Sequence, residues 1–194
     1  MAIIIMQKLP PSERKILIGE IGKIIEEAPL FTPQMPRSGA NFRYQMSNCG
    51  PLGWISDRAG YRYTTTHPAT GKPWPPFPPS IARIIEILKQ KEKIPNNYRP
   101  ETCLINKYTE NSSLGLHQDN TEKNLQAPII SISLGATGIF QIGGFKRNDP
   151  IKEIALESGA ILILSGEDRM RFHGLKKITN GTKRINLTIR QINY

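Results

Sequence analysis

The sequence predicts a mainly β fold of the α+β class, in which helices and irregular segments precede a β core of sandwich or barrel type. The 194 residues include 16 glycines and 16 prolines, which favour turns and short strands over a helical bundle. Apolar residues recur at helical spacing before residue 100 and in short β-branched runs after it. The length and the 38% hydrophobic content suit one domain whose core needs no disulfide.

Two amphipathic helices are predicted in the first half of the chain. Residues 12–28 carry an apolar stripe at helical spacing, with Ser12 as the N-cap. Residues 80–93 repeat this pattern, with Ser80 as the N-cap. The segment between them, residues 30–72, is rich in turn formers and aromatics, and we expect it to be irregular.

Five short runs after residue 100 predict the strands of the core. They are rich in β-branched residues and bounded by glycine, proline or asparagine. The runs are ETCLINKY (101–108), PIISISLG (128–135), GIFQIGG (138–144), GAILILSG (159–166) and INLTIRQI (185–192). We therefore expect an N-terminal part, residues 1–99, and a core, residues 100–194, within one compact domain.

The net charge of +10 favours a polyanionic partner, nucleic acid before an anionic membrane, although solubility alone would also explain it. Cys49 and Cys103 form no CxxC pair, so we expect reduced thiols and a cytoplasmic location. The N-terminal MAIIIMQKLPP lacks the features of a secretory signal, and no apolar run approaches the ~20 residues of a membrane helix. A monomer is the default expectation.

A candidate metal site begins in LGLHQDNTE, residues 114–122, where His117 and Asp119 are two positions apart. In an extended chain this spacing puts both side chains on one face. HxD alone is weak evidence, because it also occurs in exposed turns. Of the two other histidines, His173 follows a predicted core strand, whereas His67 lies in a turn-rich segment. We therefore favour His173 as the third ligand.

Two histidines and one carboxylate leave coordination positions open and suit non-haem Fe(II). The same ligands could also serve a zinc hydrolase. In TKRINLTIRQ, Arg184 and Arg190 share one face of a strand, and that face points either to solvent or into the core. If it points inward, the two buried guanidiniums need anions, and a small dicarboxylate such as 2-oxoglutarate could supply them. Asn106 and Tyr108 share a face of another strand and offer hydrogen bonds.

In this order, the motifs resemble the AlkB family of Fe(II)- and 2-oxoglutarate-dependent nucleic-acid dealkylases, bacterial type. The resemblance covers roughly residues 40–192. It rests on LINKY, LHQDNTE, LILSGEDRMRFHG and RINLTIRQ, with MSNCGPLGW and GYRYTTTHPATGKPWP upstream. The resemblance implies a double-stranded β-helix (jelly roll) core in residues 100–194. It also implies that residues 1–99 form a helical extension and a nucleotide-recognition lid.

The resemblance also implies roles for individual residues. Those that match the iron ligands are His117, Asp119 and His173. Those that match the 2-oxoglutarate pocket are Asn106, Tyr108, Arg184, Asn186, Thr188 and Arg190. Those that match substrate contacts are Trp54, Tyr61, Arg62, Tyr63, Thr121 and Arg147. Thr121 stands where bacterial members often carry an acidic residue that contacts the base.

The implied reaction is the oxidative demethylation of N-alkylated bases, such as 1-methyladenine and 3-methylcytosine, in DNA or RNA. It uses Fe(II), 2-oxoglutarate and O₂, releases succinate, CO₂ and formaldehyde, and repairs DNA by direct reversal, with single strands favoured. Aromatic lid residues could stack on a flipped base, which is worth ~1–3 kcal/mol per base. The basic residues that could contact phosphates are Lys72, Lys146, Arg147, Arg169, Arg171, Lys176 and Lys177.

Three other functions remain open from the sequence. The first is an Fe(II)/2-oxoglutarate hydroxylase acting on a protein, an RNA or a small molecule. The second is a zinc hydrolase with the same three ligands, which would have no need of the arginine pair. The third is a nucleic-acid-binding protein without catalysis, which would need neither the metal ligands nor the arginines.

Overall fold

The computed structural model describes residues 3–6 and 8–193. Its longest elements are two strands of 14 and 18 residues and two α-helices. In chain order the elements are β1 (Ile3–Met6), α1 (Pro11–Glu27), β2 (Gln45–Cys49), β3 (Gly53–Asp57), β4 (Gly60–Thr64), α2 (Pro79–Gln90), β5 (Thr102–Thr109), β6 (Leu114–His117), β7 (Ile129–Ile142), β8 (Lys152–Leu156), β9 (Ile161–Leu164), a 3-10 helix (Gly166–Met170) and β10 (His173–Arg190).

Eight strands form one antiparallel sheet in the order β1-β9-β7-β10-β5-β2, in which β6 also pairs with β10 and β8 with β7. The long strands β7 and β10 each pair with several partners, and the register between them shifts twice, after Leu175 and after Thr179. Such irregularities bend a sheet, and they allow a long strand to take part in two layers. The mainly β prediction is confirmed. Among the described residues, no helix is long and apolar enough to cross a membrane.

The two faces of β10 place the core and the site on opposite sides of one strand. Leu187 and Ile189 are fully buried in the main core, where they join the apolar faces of α1 and α2. The polar side chains on the other face are also buried: Arg184, Asn186, Thr188 and Arg190. The alternation predicted from the sequence is therefore present, and its polar face points inward rather than to solvent.

The predicted helix caps are wrong by two positions. α1 has Pro10 at its N-cap and α2 has Pro78, and neither helix start has a side-chain cap hydrogen bond. Each helix begins with a proline, whose fixed φ and missing N–H suit the first helical position. Ser12 and Ser80 therefore lie inside the first turn instead of capping it.

The N-terminal part contributes more regular structure than the sequence indicated. Within residues 30–72, which we expected to be irregular, the structure has β2, β3 and β4. β2 pairs with β5, and β1 pairs with β9. The segments 1–99 and 100–194 therefore share one sheet, while β3 and β4 form a separate hairpin.

Candidate metal centre

The structure brings His117, Asp119 and His173 together at one end of the sheet. His117 ends β6 and His173 begins β10, and the two are direct partners across these strands. Their ring centroids are 4.5 Å apart. The Asp119 oxygens lie 3.5 Å from the Nε2 atoms of both histidines, and one ligand atom from each residue falls within 4.8 Å of the others. This spacing is compatible with a single ion.

The backbone sets the tautomer of both histidines. Nδ1 of His117 lies 3.0 Å from the Gly115 carbonyl oxygen, and Nδ1 of His173 lies 2.9 Å from that of Arg171. A carbonyl only accepts hydrogen bonds, so each Nδ1 carries the proton and donates it. Both Nε2 lone pairs then face Asp119, in the orientation that metal-binding histidines adopt. This donor set fits a divalent metal ion.

Asp119 is buried and charged. Burial opposes its ionisation, but the Arg190 guanidinium and the two adjacent imidazoles hold the pKa of the carboxyl well below its usual range. Burial would also lower the pKa of His117, but the charge of Asp119 and the hydrogen bonds that a protonated imidazole donates to Asp119 and to the Gly115 carbonyl together raise that pKa. The three residues therefore offer one negative charge and two imidazoles to a cation.

Arg184 is a buried cation without a carboxylate partner among the described residues. Its Nη2 donates to Ser133 Oγ at 2.9 Å, its guanidinium lies 5.4 Å from the centre of the Tyr108 ring, and its Nε has no partner. Burial lowers the pKa of Arg184 to about 10. A Cβ on Gly138 would come within 2.6 Å of Nε, so glycine makes room for the guanidinium. Such a group calls for an anion.

The polar residues around Arg184 divide into two sets. Asn186 and Thr188 are tied to each other at 3.1 Å, and the Asn186 amide also donates to Ser131 Oγ at 2.7 Å. Asn106, in contrast, has a buried side-chain oxygen with no partner. The unpaired Nε–H of Arg184 is a donor that a bound carboxylate would satisfy, whereas the Asn106 oxygen is an acceptor and would pair with a donor instead. The pocket therefore fits one carboxylate of 2-oxoglutarate.

Arg190 is in a different state from Arg184. Its Nη2 lies 2.9 Å from Asp119 Oδ1, and its Nη1 lies 2.6 Å from Glu122 Oε1. Two carboxylates of the protein therefore already balance this guanidinium. The two arginines of the RxNxTxR motif are both buried, but in the described structure only Arg184 lacks a counter-charge.

The hairpin β3–β4 carries the predicted aromatic contacts. Trp54 stacks on Tyr61 with centroids 5.7 Å apart, and Tyr63, directly opposite Trp54, shares their face. The buried side chain of Asn48 binds both the N–H and the carbonyl of Trp54, at 3.1 and 3.0 Å. Tyr61 is 47% exposed, whereas the Tyr63 hydroxyl is hydrogen-bonded to the buried Glu122. The hairpin thus presents one exposed tyrosine and one that is anchored by a hydrogen bond.

The other predicted substrate contacts lie nearer the surface. Arg62 lies on the opposite face of the hairpin from the tyrosines and is paired with Asp57 at 2.7 Å. Thr121 is exposed and follows the metal-site aspartate by two positions. Arg147 is exposed on the β7–β8 connection, where its Nη1 donates to the carbonyl of Leu116 at 2.9 Å. Thr121 and Arg147 therefore stand beside the metal-site segment, and Arg62 stands apart.

Arg169 and His67 are buried, and both make structural contacts inside the protein. Arg169, a predicted phosphate contact, is only 1% exposed, so that prediction is wrong. His67 is buried, with Nε2 donating to the Pro29 carbonyl at 2.7 Å.

Sequence reasoning also missed Ser131 and Ser133, although their alternation within PIISISLG would have placed both on one face. It also gave no role to Glu122.

Comparisons with known proteins agree with this geometry. The 2OG-Fe(II) oxygenase superfamily matches residues 2–190. The chain is 38% identical to the alpha-ketoglutarate-dependent dioxygenase AlkB of Escherichia coli, over 97% of this chain and 89% of that protein. It is also 38% identical to the AlkB homolog of Caulobacter vibrioides, over 93% of this chain and 82% of that protein. A solved structure described as "The structure of OsALKBH1" matches with a TM-score of 0.78 and 27% identity, over 98% of this chain and 96% of that one.

Fold, donor set and similarity define the class: an Fe(II)- and 2-oxoglutarate-dependent dioxygenase with a jelly-roll core, which uses O₂ as its second co-substrate. The predictions of the jelly roll, of the iron and of 2-oxoglutarate are thereby confirmed, and the zinc hydrolase and the non-catalytic binding protein are excluded. Within this superfamily, the chain belongs to the AlkB family.

Proposed function

We propose that this enzyme removes N-alkyl groups oxidatively from nucleobases of the 1-methyladenine and 3-methylcytosine type in DNA, and so reverses alkylation damage directly. The observation that carries the proposal is the aromatic hairpin beside the metal centre, with Trp54 stacked on an exposed Tyr61 and with Tyr63 hydrogen-bonded to Glu122 near the metal ligands. Relatives support a nucleic-acid substrate, since they include a tRNA demethylase of Schizosaccharomyces pombe and a DNA N(6)-methyladenine demethylase of Arabidopsis thaliana.

In this proposal, His117, Asp119 and His173 hold Fe(II) through two Nε2 atoms and a carboxylate oxygen. Arg184 binds the far carboxylate of 2-oxoglutarate, beside Asn106 and Tyr108. The bound iron and 2-oxoglutarate supply the oxidation of the N-methyl group by O₂, with succinate, CO₂ and formaldehyde as products. The protein orients these groups and keeps the pocket closed to bulk water, since Arg184 and Tyr108 are at most 3% exposed.

The lining of the pocket assigns distinct tasks to its polar residues. Asn186 and Thr188 are fixed by their own hydrogen bonds, so they set the shape of the pocket floor. Tyr108 is a neutral donor at physiological pH, because burial raises its pKa to about 12. Arg190 keeps Asp119 ionised and oriented toward the metal position.

The substrate base enters beside the hairpin as a flipped nucleotide. Trp54 and Tyr61 provide its stacking surface, and Tyr63 borders the opening to the metal. Thr121 offers a neutral hydroxyl at the position where a base edge would lie, and Arg147 supplies a positive charge on the facing loop. A base with a cationic N-methyl group pairs poorly, so its extrusion costs less than that of a normal base. Single strands are favoured because their bases have no pairing partner to lose when they are extruded. Arg62, on the far face of the hairpin, contacts the phosphate backbone.

The further expectations are a nucleic-acid partner without a membrane, a monomeric state and a cytoplasmic location. The charge of +10 supports the nucleic-acid partner, because basic surfaces attract polyanions. Gel filtration with light scattering tests the monomer.

The test of the function is turnover of the Fe(II)-loaded enzyme with 2-oxoglutarate and O₂ on single-stranded oligonucleotides with and without one 1-methyladenine. We expect succinate and formaldehyde in proportion to the lesion, and conversion of the base to adenine. Succinate that does not depend on the lesion would contradict the substrate but keep the oxygenase. The same lesion in an RNA strand distinguishes the DNA proposal from an RNA substrate.

A further inference from the structure

Glu122 is a carboxylate buried between two arginines, three residues after the metal-site aspartate. Its side chain is 0% exposed. One oxygen lies 2.7 Å from Arg169 Nη2, and the other lies 2.6 Å from Arg190 Nη1. The second oxygen also accepts the hydrogen bond of the Tyr63 hydroxyl. Each of these groups would be costly to bury alone, so the carboxylate is enclosed by a matched set.

Arg169 binds the Glu122 oxygen that Arg190 does not. Its Nη1 donates to the carbonyls of Asn124 and Ala127, at 2.8 and 2.6 Å, which lie in the segment after Glu122. Arg169 itself belongs to the 3-10 helix that precedes His173. The position of Glu122 is therefore defined by the two chain segments that deliver the metal ligands.

Glu122 and Asp119 divide one guanidinium between them. Arg190 gives Nη1 to Glu122 and Nη2 to Asp119 Oδ1, while Asp119 Oδ2 remains 3.5 Å from His173 Nε2. An arginine fork otherwise binds both oxygens of one carboxylate. By taking one arm of the fork, Glu122 leaves an Asp119 oxygen free for a cation. Its charge also completes a balance of two buried arginines with two carboxylates.

The same carboxylate reaches the hairpin. The Tyr63 hydroxyl donates to Glu122 and lies 3.2 Å from Arg190 Nη1, across 59 positions of sequence from Glu122. Tyr63 is therefore held by the metal-site network, whereas Tyr61 on the same face is exposed and contacts Trp54. Any loss at Glu122 reaches both the hairpin and Asp119.

We propose that Glu122 is a positioning residue that orients Arg190, and through it Asp119, for the metal, and that holds Tyr63 in place for the alkylated base. The second half of this statement rests on the proposed function, and the first half does not. A purely structural ion pair would affect stability alone. The proposal differs because it requires changes in metal affinity and in base recognition.

The first test is Co(II) titration, followed by absorbance, of wild type, Glu122→Gln and Glu101→Gln. Glu101 is the matched control, because it also loses a hydrogen-bonded carboxylate, but one that binds Ile192 and Asn193. Loss of an outer-shell partner costs about 10- to 100-fold in metal affinity, so Glu122→Gln should weaken Co(II) binding by about that factor. The control should bind as wild type. Equal affinity of Glu122→Gln and the control would overturn the proposal for the metal.

The second test is a double-mutant cycle on metal-free protein, with Tyr63→Phe and Glu122→Gln. The readout is the fluorescence anisotropy of a single-stranded oligonucleotide that contains 1-methyladenine. Loss of one hydrogen bond to a charged group predicts about 10-fold weaker binding for each single variant. The double variant should bind the oligonucleotide no more weakly than the weaker-binding of the two single variants. Both substitutions remove the same hydrogen bond, between Tyr63 and Glu122. The coupling would be refuted if the affinity losses of the two single variants multiplied in the double variant. It would also be refuted if Tyr63→Phe bound the oligonucleotide as tightly as wild type.

The two tests separate failure of this inference from failure of the proposed function. If wild type does not prefer the lesion, the proposed substrate is wrong, while the Co(II) titration still decides the role of Glu122 at the metal. If Glu122→Gln does not fold, Tyr63→Phe keeps the pairs of Glu122 with both arginines. In that variant, lesion binding equal to wild type would still refute the role of Tyr63.

Discussion

Replacing Arg184 by methionine should stabilise the ligand-free protein while it abolishes tight binding of 2-oxoglutarate. Burial lowers the pKa of this guanidinium to about 10. A depression of this size means that holding the charged form inside the fold costs about 3 kcal/mol. Neutral pH lies well below this folded pKa, so the guanidinium is charged and the full cost applies. Methionine has a similar stem and no charge.

The net effect is smaller than this cost, because methionine also loses the hydrogen bond to Ser133. That bond to a charged group is worth about 2 kcal/mol, which leaves a gain of about 1 kcal/mol in the free energy of unfolding. For a chain of this size, the gain raises Tm by about 2–4 °C. With the ligand the sign reverses, because truncating one partner of a buried charge pair costs about 2–5 kcal/mol. This corresponds to about 30- to 4,000-fold in Kd.

The assay is calorimetric titration of anaerobic, Mn(II)-loaded protein with 2-oxoglutarate, together with thermal unfolding of the ligand-free protein. Lys183→Met is the control, because it removes the same charge from the neighbouring exposed position of β10. A lower Tm for Arg184→Met than for wild type would refute the idea of an uncompensated charge. A 2-oxoglutarate affinity equal to that of the control would show that Arg184 does not bind the carboxylate.

Four other predictions follow from described contacts. Asp119→Ala should eliminate Co(II) binding and turnover; retained binding in a Co(II) titration would contradict its place among the ligands. His67→Ala should lower the free energy of unfolding by about 3 kcal/mol, measured in urea, because it leaves the Pro29 carbonyl unpaired, while Co(II) affinity stays unchanged. Affinity for a single-stranded oligonucleotide should fall as salt rises, and a flat profile would assign the +10 charge to solubility alone. Burial opposes ionisation of Glu101, but hydrogen bonds from Asn193 and the Ile192 N–H outweigh it and lower its pKa, so its contribution to stability is present above its unfolded pKa and is lost as pH falls through the folded one. The stability difference between wild type and Glu101→Gln should therefore shrink in urea titrations at decreasing pH, and a constant difference would contradict the cause.

The sequence predicted those parts of the site that depend on strand periodicity. The spacing of His117 and Asp119, and the alternation that begins at Arg184, required only that the chain be extended there, and β6 and β10 provide this. Parity, however, groups residues on a face without telling which face is buried. That question was decided by packing, which sends Leu187 toward the helices and Arg184 into the pocket.

The features that sequence reasoning missed depend on contacts between distant segments. Arg169 resembled a surface cation, but carbonyls of the segment after Glu122 and the Glu122 carboxylate itself surround it. The strands of the hairpin were hidden, because each has only five residues and turn formers surround them. Arg62 was grouped with its neighbouring tyrosines by sequence, although alternation along β4 turns it to the other face. Parity within the hairpin would have separated them.

His117 and His173 are direct partners across β6 and β10. The metal ligands therefore come together only when these two strands are in the correct register. β6 has four residues and pairs only with β10 among the described strands, and a slip of one residue would turn its histidine to the opposite face. Each ring is aimed by the carbonyl two residues before it in the chain, so alignment of the two strands is the main condition for assembling the ligands. A bound ion would then hold the short edge strand β6 against β10, the longest strand of the sheet. We therefore expect iron loading to slow hydrogen exchange of the β6 amides.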